Sequence, residues 1–385
     1  MSERFQVWTL LDSEQGIVSG DATQIEPHRH LCCKTHHLKG GIRDGVFVIE
    51  LSNHVVSINV VPTRGMSIAD VHCGDVRLGW NSPVQGPVHP RFVPIAEPSG
   101  LGWLDGFDEW LVRCGLSSNG APDFDEQGRL QHSLHGRIAN RPAHQVKLTF
   151  DHETSELALT GVVDETRFLF YHLRLTSTIR LRPDATTFQI HDRVENLSGR
   201  PATAQLLYHI NFGPTLLSPG AELVVPAKRI APRNAHAAND VDTWNLYGQP
   251  DASYEEQVYF MQLQADENHR TLALLKSDDG QHGAAVRFNI QQLPYFSQWK
   301  NTVAYQDGYV TGIEPATNFP NPHSFERQQG RVISLAPNES RDFVIDVEVA
   351  TTSNSVRRLE TEIHKLQVKQ PCEILKQPDP DWSAP

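Results

Sequence analysis

The chain has 385 residues, 39% of them hydrophobic, and a net charge of −12 from 46 acidic and 34 basic side chains. That length suits one very large β domain or two ordinary ones, and the apolar share is enough for a large buried core. The acidic balance, with no long Lys/Arg run, argues against nucleic acid as a partner, and no segment approaches the roughly 20 apolar residues of a bilayer span, so no membrane partner is expected.

The opening stretch MSERFQVWTLLDSEQG has no apolar run of signal-peptide length. The cysteines Cys32, Cys33, Cys73, Cys114 and Cys372 are odd in number and scattered. This points away from a disulfide framework and toward a reducing, cytoplasmic setting. The segment His28–His37 is rich in metal-ligand side chains, yet zinc sites usually show two separated ligand pairs, and here there is no second half. It reads as a connecting segment ahead of the first sandwich strand, without a metal.

Period-2 patterns follow. Strands are predicted at 46–51 and 54–61, then at 156–163, 172–181, 186–195, 203–210, 257–264, 271–276, 284–290 and 342–349. In 172–181, Leu173, Leu175, Ile179 and Leu181 alternate with His172, Arg174, Thr178 and Arg180. Turn signals such as Arg182-Pro183-Asp184 and Asn196-Leu197-Ser198-Gly199 separate the strands. Many short strands with Gly/Pro turns mean a sandwich or barrel. The stretch 80–131, rich in Gly, Pro, Trp and Asp, lacks periodicity; long irregular stretches in β proteins often build a binding site. Near the end, Val356, Leu359, Ile363 and Leu366 fall on one helical stripe, with Ser353 or Asn354 as N-cap. The proline-containing residues after it read as an exposed tail.

Four clusters carry candidate chemistry: Pro62-Thr63-Arg64-Gly65-Met66, Leu134-His135-Gly136-Arg137-Ile138-Ala139-Asn140-Arg141, Tyr208-His209-Ile210-Asn211-Phe212-Gly213 and Gly312-Ile313-Glu314-Pro315-Ala316-Thr317-Asn318. Polar residues at strand ends point into the rims where sandwiches bind ligands. Each also has a structural reading. His135 beside glycine can hold a loop, His209 can be a satisfied core histidine, Glu314 before proline can be a turn residue, and Arg64 and Arg137 can pair with acids.

In this order the clusters resemble the aldose 1-epimerase (galactose mutarotase-like) superfamily over roughly 46 to 350. RGMSIAD, GLGWLDGFDEWLVRCGL, LHGRIAN, LLYHINFG and GIEPATNFPNPHSFERQQG resemble most an uncharacterised branch of it, grouped as a domain of unknown function. The resemblance implies an all-β fold, the β-supersandwich. The expected organisation is an N-terminal extension over 1–45, the sandwich over 46–350, and a short helix and tail over 351–385. It also implies that His135 and His209 are the two site histidines, that Glu314 acts as base, and that Arg64 or Arg137 holds sugar hydroxyls. There are departures: His-Gly and Gly-Arg-x-Ala-Asn-Arg, separate in galactose mutarotases, are fused here as HGRIANR. That form looks more like the hexose-phosphate epimerase branch. The aspartate that galactose mutarotases use on the sugar has no clear counterpart, with Asp105 and Asp108 as candidates by position.

The implied reaction opens a hemiacetal ring and closes it on the other face of the aldehyde, interconverting α and β anomers of a free or anionic sugar. It needs one group to take the C1 hydroxyl proton and another to protonate the ring oxygen, roles suited to Glu314 and His209, and it requires no cofactor. His135 would stabilise charge developing at the ring oxygen. Arg64, Arg137 and Lys300 would bind hydroxyls or an anionic group, Asn211 and Asp105 would add polar contacts, and Trp103 and Trp299 would stack on the sugar, with core packing as their alternative. Two rivals remain on the same fold: a non-catalytic carbohydrate-binding or sensing protein, and another sugar enzyme such as a lyase or hydrolase. A hydrolase usually needs a second carboxylate about 5–10 Å from the first, drawn here from Asp105, Asp108 or Glu109.

Overall fold

The alternation in 172–181 is realised as the strand Tyr171–Leu181, whose residues are in turn buried and half-buried. The other predicted strands also form, with ends shifted by a few residues, from Phe47–Ser52 to Ser340–Ala350. The computed structural model of the protein describes residues 4–367 and 370–385. Its strands lie in two large sheets, one of ten strands and one of fourteen, with a separate two-stranded ribbon. Nearly all the pairings are antiparallel, as expected where short turns link successive strands.

The inner faces of the two sheets share one large core. Leu148, Leu159, Ile179 and Ile190 of the ten-stranded sheet join Ile49, Ile58, Leu206 and Ile210 of the fourteen-stranded sheet. Between the sheets Arg113 is fully buried. It pairs with Asp192, and it donates to the Met66 carbonyl at 2.7 Å and to Ser177 Oγ at 2.8 Å. A buried ion pair tolerates this environment only when its remaining hydrogen-bonding groups are also used, as they are here.

The fourteen-stranded sheet is covered on its other face as well. The irregular segment from about 80 to 107 folds over it, and Trp80, Trp103 and Phe107 pack on Val112, Cys114, Leu207, Val310 and Ala316. The strands beneath, Leu111–Leu116 and Val310–Ala316, are therefore buried along their whole length. They show none of the alternation that marks a half-exposed strand.

Three sequence expectations change. The histidine-rich segment is no connector, since Thr23–His28 and Leu31–His37 are strands, the second paired with Phe47–Ser52. The helix Ser353–Gln367 buries Val356, Leu359 and Ile363 as expected. Its first turn, however, is capped by Thr352, whose Oγ1 accepts from the Ser355 N–H at 3.2 Å. The proline-rich end is docked rather than exposed: Trp382 is 6% exposed and packs on Phe319 and Phe260. Among the described residues no helix is long and apolar enough to cross a membrane.

Candidate functional site

The site is set by strand register. Ala202–Phe212 lies between Leu111–Leu116 and Val310–Ala316. Alternate residues Leu206, Tyr208, Ile210 and Phe212 enter the inter-sheet core, so Leu207, His209 and Asn211 face the covering loops. Pairing of Leu207 with Ala316 and of Ile210 with Ile313 sets His209 across from Glu314. On its other side Glu314 pairs with Ser297, two residues from Trp299.

The result is a buried acid–base pair. His209 Nε2 lies 3.1 Å from Glu314 Oε1, with both side chains 5% exposed or less. Asn211 decides which tautomer His209 holds. Its amide Nδ2 donates to the backbone carbonyls of Glu109 at 2.9 Å and His209 at 3.3 Å. Its Oδ1 therefore faces His209 Nδ1 and accepts from it at 2.5 Å. With the proton fixed on Nδ1, Nε2 is free to take a proton from the carboxyl. Burial, reinforced by the charge of Glu256 and opposed by Arg233, pushes the Glu314 carboxyl up to about 8. Burial and neighbouring His135 hold His209 well below the usual histidine range. Near neutral pH the pair thus holds one proton, resting on Glu314 and directed at Nε2.

His135 stands beside them. Its ring centroid is 5.3 Å from that of His209, nearly perpendicular, and 4.6 Å from Trp103. Its Nδ1 donates to the Asn119 carbonyl at 2.9 Å, and burial lowers its pKa to about 4. Near neutral pH it is uncharged, and with the proton on Nδ1 its Nε2 can act only as an acceptor; it has no proton there with which to stabilise a developing oxyanion. The His-Gly spelling has a local cause. His135 and Gly136 are both left-handed, at φ +56° and +71°, and a Cβ on Gly136 would meet the Ser118 carbonyl oxygen at 2.1 Å.

These side chains share one cavity of about 290 Å³, lined by Trp103, Phe107, His135, His209, Trp299 and Glu314, with Arg233 and Glu256 among its other walls. Small-molecule pockets span about 300–1,000 Å³, so this one lies at the small end of that range. The lining sets apolar aromatic faces beside a few polar groups, the mix usual in small-molecule sites.

Five expected binding residues are not brought to the cavity wall. Arg64 is fully buried, its Nε on Glu109 Oε1 at 2.7 Å, its Nη2 on the Gly106 carbonyl at 2.7 Å and its Nη1 on Asn140. Lys300 follows Trp299 in the strand and so points to the opposite face. There it donates to the carbonyls of Leu246 at 2.8 Å and Thr243 at 3.2 Å. Arg137, beyond the reversal at His135–Gly136, is half-buried, and its charge falls on His132 and Tyr171. Asp105 is exposed on the turn Gly102–Gly106. Asn211 orients His209 instead of facing the cavity. Sequence reasoning missed Phe107, Arg233 and Glu256. The last two flank the paired strands Ala227–Pro232 and Gln257–Leu263, and neither belongs to a motif. Their polar strand-end positions are the one signal that was available.

Residues 43–349 match the family described as a domain of unknown function, DUF4432. No curated protein matches the chain. A solved structure from Klebsiella pneumoniae subsp. pneumoniae, of a protein provisionally assigned as an aldose 1-epimerase, is similar over 97% of this chain and 99% of its own, with 34% identity and a TM-score of 0.93. A galactose mutarotase-like protein from Clostridium acetobutylicum, 14% identical, matches 84% of this chain and 100% of its own with a TM-score of 0.57. The galactose 1-epimerase of Lactobacillus acidophilus, also 14% identical, matches 83% and 98% with a TM-score of 0.55. The last two likenesses show the fold.

Proposed function

The chain belongs to the DUF4432 family and has the galactose mutarotase-like fold, and from that premise we propose that it is an aldose 1-epimerase, interconverting the α and β anomers of a sugar. The observation that carries this reading is the 3.1 Å His209–Glu314 pair at the base of a monosaccharide-sized cavity.

The two oxygens that exchange protons in the reaction are the hydroxyl on C1 and the ring oxygen, both bonded to one carbon. Two adjacent groups sharing one proton suit them. With that proton on His209 Nε2, Glu314 takes the C1 hydroxyl proton, the O–H electrons form the C1 carbonyl, and the C1–O5 bond breaks as Nε2–H protonates O5. The pair then stands as neutral acid and neutral imidazole, its resting form in the empty cavity. After the aldehyde turns about C1–C2, the same transfers run backward on the other face. No net proton enters or leaves. A positioned acid or base of this kind contributes about 10²–10⁴-fold. Trp103 and Trp299 hold the sugar's apolar face, and His135 accepts from a hydroxyl.

The rival hydrolase needs a second carboxylate. Glu109 is committed to Arg64, Asp105 faces solvent, Asp108 does not line the cavity, and Glu256 is held by Arg233 and by the Trp299 indole. Anomer-exchange NMR on a panel of aldoses tests the proposal. Accelerated exchange for at least one sugar, lost in Glu314→Gln while binding persists, is expected. Saturable binding with no acceleration for any sugar would instead support the non-catalytic sugar-binding reading.

A further inference from the structure

The cavity carries an ion pair that no motif announces. Arg233 Nη2 lies 3.3 Å from Glu256 Oε1, and the two side chains are 38% and 50% exposed, which places them at the mouth. The other Glu256 oxygen, Oε2, accepts from the Trp299 Nε1–H at 2.7 Å, so the same carboxylate fixes an aromatic wall. Among the described lining residues Arg233 is the one Arg or Lys; of the other cations considered from the sequence, Arg64 and Lys300 are spent on buried partners and Arg137 is not in the lining.

A guanidinium has five N–H donors, and the contact with Glu256 uses one. A carboxylate oxygen keeps a further lone pair beside each bond it accepts. The pair therefore offers donors and acceptors side by side at a site with no net charge, which matches neighbouring sugar hydroxyls. An anionic group placed there would gain Arg233 but meet Glu256.

Resting on the epimerase reading above for the orientation of the sugar's C1 toward Glu314, the geometry points to Arg233 and Glu256 as the specificity-determining residues of this cavity, which grip adjacent hydroxyls of an uncharged aldose and disfavour its phosphorylated or carboxylated counterpart. The reducing end sits at the His209–Glu314 pair, and the far hydroxyls sit at the mouth.

The test measures binding and anomer exchange together, by ligand-observed NMR, for glucose and galactose against their 6-phosphates and uronates. The proteins are the wild type, Glu256→Gln and Arg233→Gln. Glutamine at 256 keeps an acceptor for the Trp299 indole, so the wall is retained. The wild type is expected to bind an uncharged aldose about tenfold or more tighter than its anionic counterpart, the scale of one hydrogen bond to a charged group. Glu256→Gln, which leaves Arg233 uncompensated, is expected to narrow that ratio about fivefold or more by strengthening anionic binding. Arg233→Gln is expected to weaken the uncharged sugar with no gain for the anion. Equal or tighter binding of anionic sugars by the wild type, or a ratio unmoved in Glu256→Gln, overturns the proposal. Because binding and exchange are read separately, the two ideas fail separately. The expected ratios without accelerated exchange sink the epimerase reading and keep the specificity pair, whereas exchange that favours anionic sugars does the reverse. No binding by any sugar overturns both.

Discussion

At the scale of single residues the unit of function is one proton. Glu314 holds it up to about pH 8 because burial disfavours its charged form, and Asn211 leaves His209 Nε2 open to receive it. The rate of anomer exchange, after subtraction of the spontaneous reaction, should fall with rising pH through an alkaline limb near pH 8, where the pair loses its proton. An acid limb should lie well below neutrality, because His135 takes a proton only near pH 4. A rate that stays level through pH 9 would remove Glu314 from the role. Glu314→Gln should cost about 10²–10⁴-fold in kcat with binding of the sugar largely kept. The same residue predicts a stability effect of definite sign. The unfolded chain releases this proton near 4.5, while the folded state keeps it to about 8. This group's contribution to stability is then fully present below 4.5 and is lost as pH rises to about 8, by up to about 5 kcal/mol. Glu314→Gln, which has no proton to lose, should therefore gain melting temperature relative to wild type at pH 9 compared with pH 5.

Between elements the site depends on close fits that hold the pair in place. Gly312 is paired with Asn211 on the neighbouring strand, and a Cβ there would meet Glu314 Oε1 at 2.6 Å and His209 Cε1 at 3.0 Å. The obstructing atoms are side-chain ends that can shift. Gly312→Ala should therefore lower kcat more than tenfold while costing no more than about 1–3 kcal/mol of stability, checked by pairing exchange rates with urea melts. Arg64 binds three pieces of chain: its own turn Pro62–Arg64, the segment ending at Glu109, and the turn Ile138–Asn140 beyond His135. Glu109→Gln should cost about 3–5 kcal/mol, since it leaves a buried guanidinium unpaired. This architecture also explains what the sequence made legible. Strands such as Tyr171–Leu181, with one face buried and one face half-covered, alternate and can be read. Leu111–Leu116 and Val310–Ala316 are buried on both faces and carry no period. In the site, His135, His209 and Glu314 were found through motifs, and they do share a cavity with Trp103 and Trp299, which were read as stacking or core residues. Arg64 and Lys300 were misplaced because a charge in the sequence does not reveal where its partners lie. Those partners, Glu109 for Arg64 and two backbone carbonyls for Lys300, draw the side chains away from the cavity. Arg233 and Glu256 come together through strand pairing, which motif reading does not supply.

For the whole molecule, the two sheets stand or fall with each other through the core they share. The first strands belong to both. Phe5–Asp12 pairs with Gln145–Asp151 in the ten-stranded sheet, and Leu31–His37 pairs with Phe47–Ser52 in the fourteen-stranded one. Leu10, Leu31 and Cys33 are at most 1% exposed within that common core. We propose 46–350 as the sandwich unit with residues 1–45 packed on it, and the extent of that packing sets a measurable consequence. Removing residues 1–37 would strip one neighbour from a strand in each sheet, open two long edges, and uncover the inner-face side chains those strands protect. Each buried Leu, Ile or Val side chain exposed costs about 1.5–3 kcal/mol, against a total stability of about 5–15 kcal/mol for a typical domain, and unpaired edges invite association. The shortened chain should therefore be insoluble, or lack a cooperative urea transition by circular dichroism and tryptophan fluorescence. A soluble product with a sharp, coincident transition and intact sugar binding would show that the remaining sandwich folds alone and that the N-terminal strands only reinforce it.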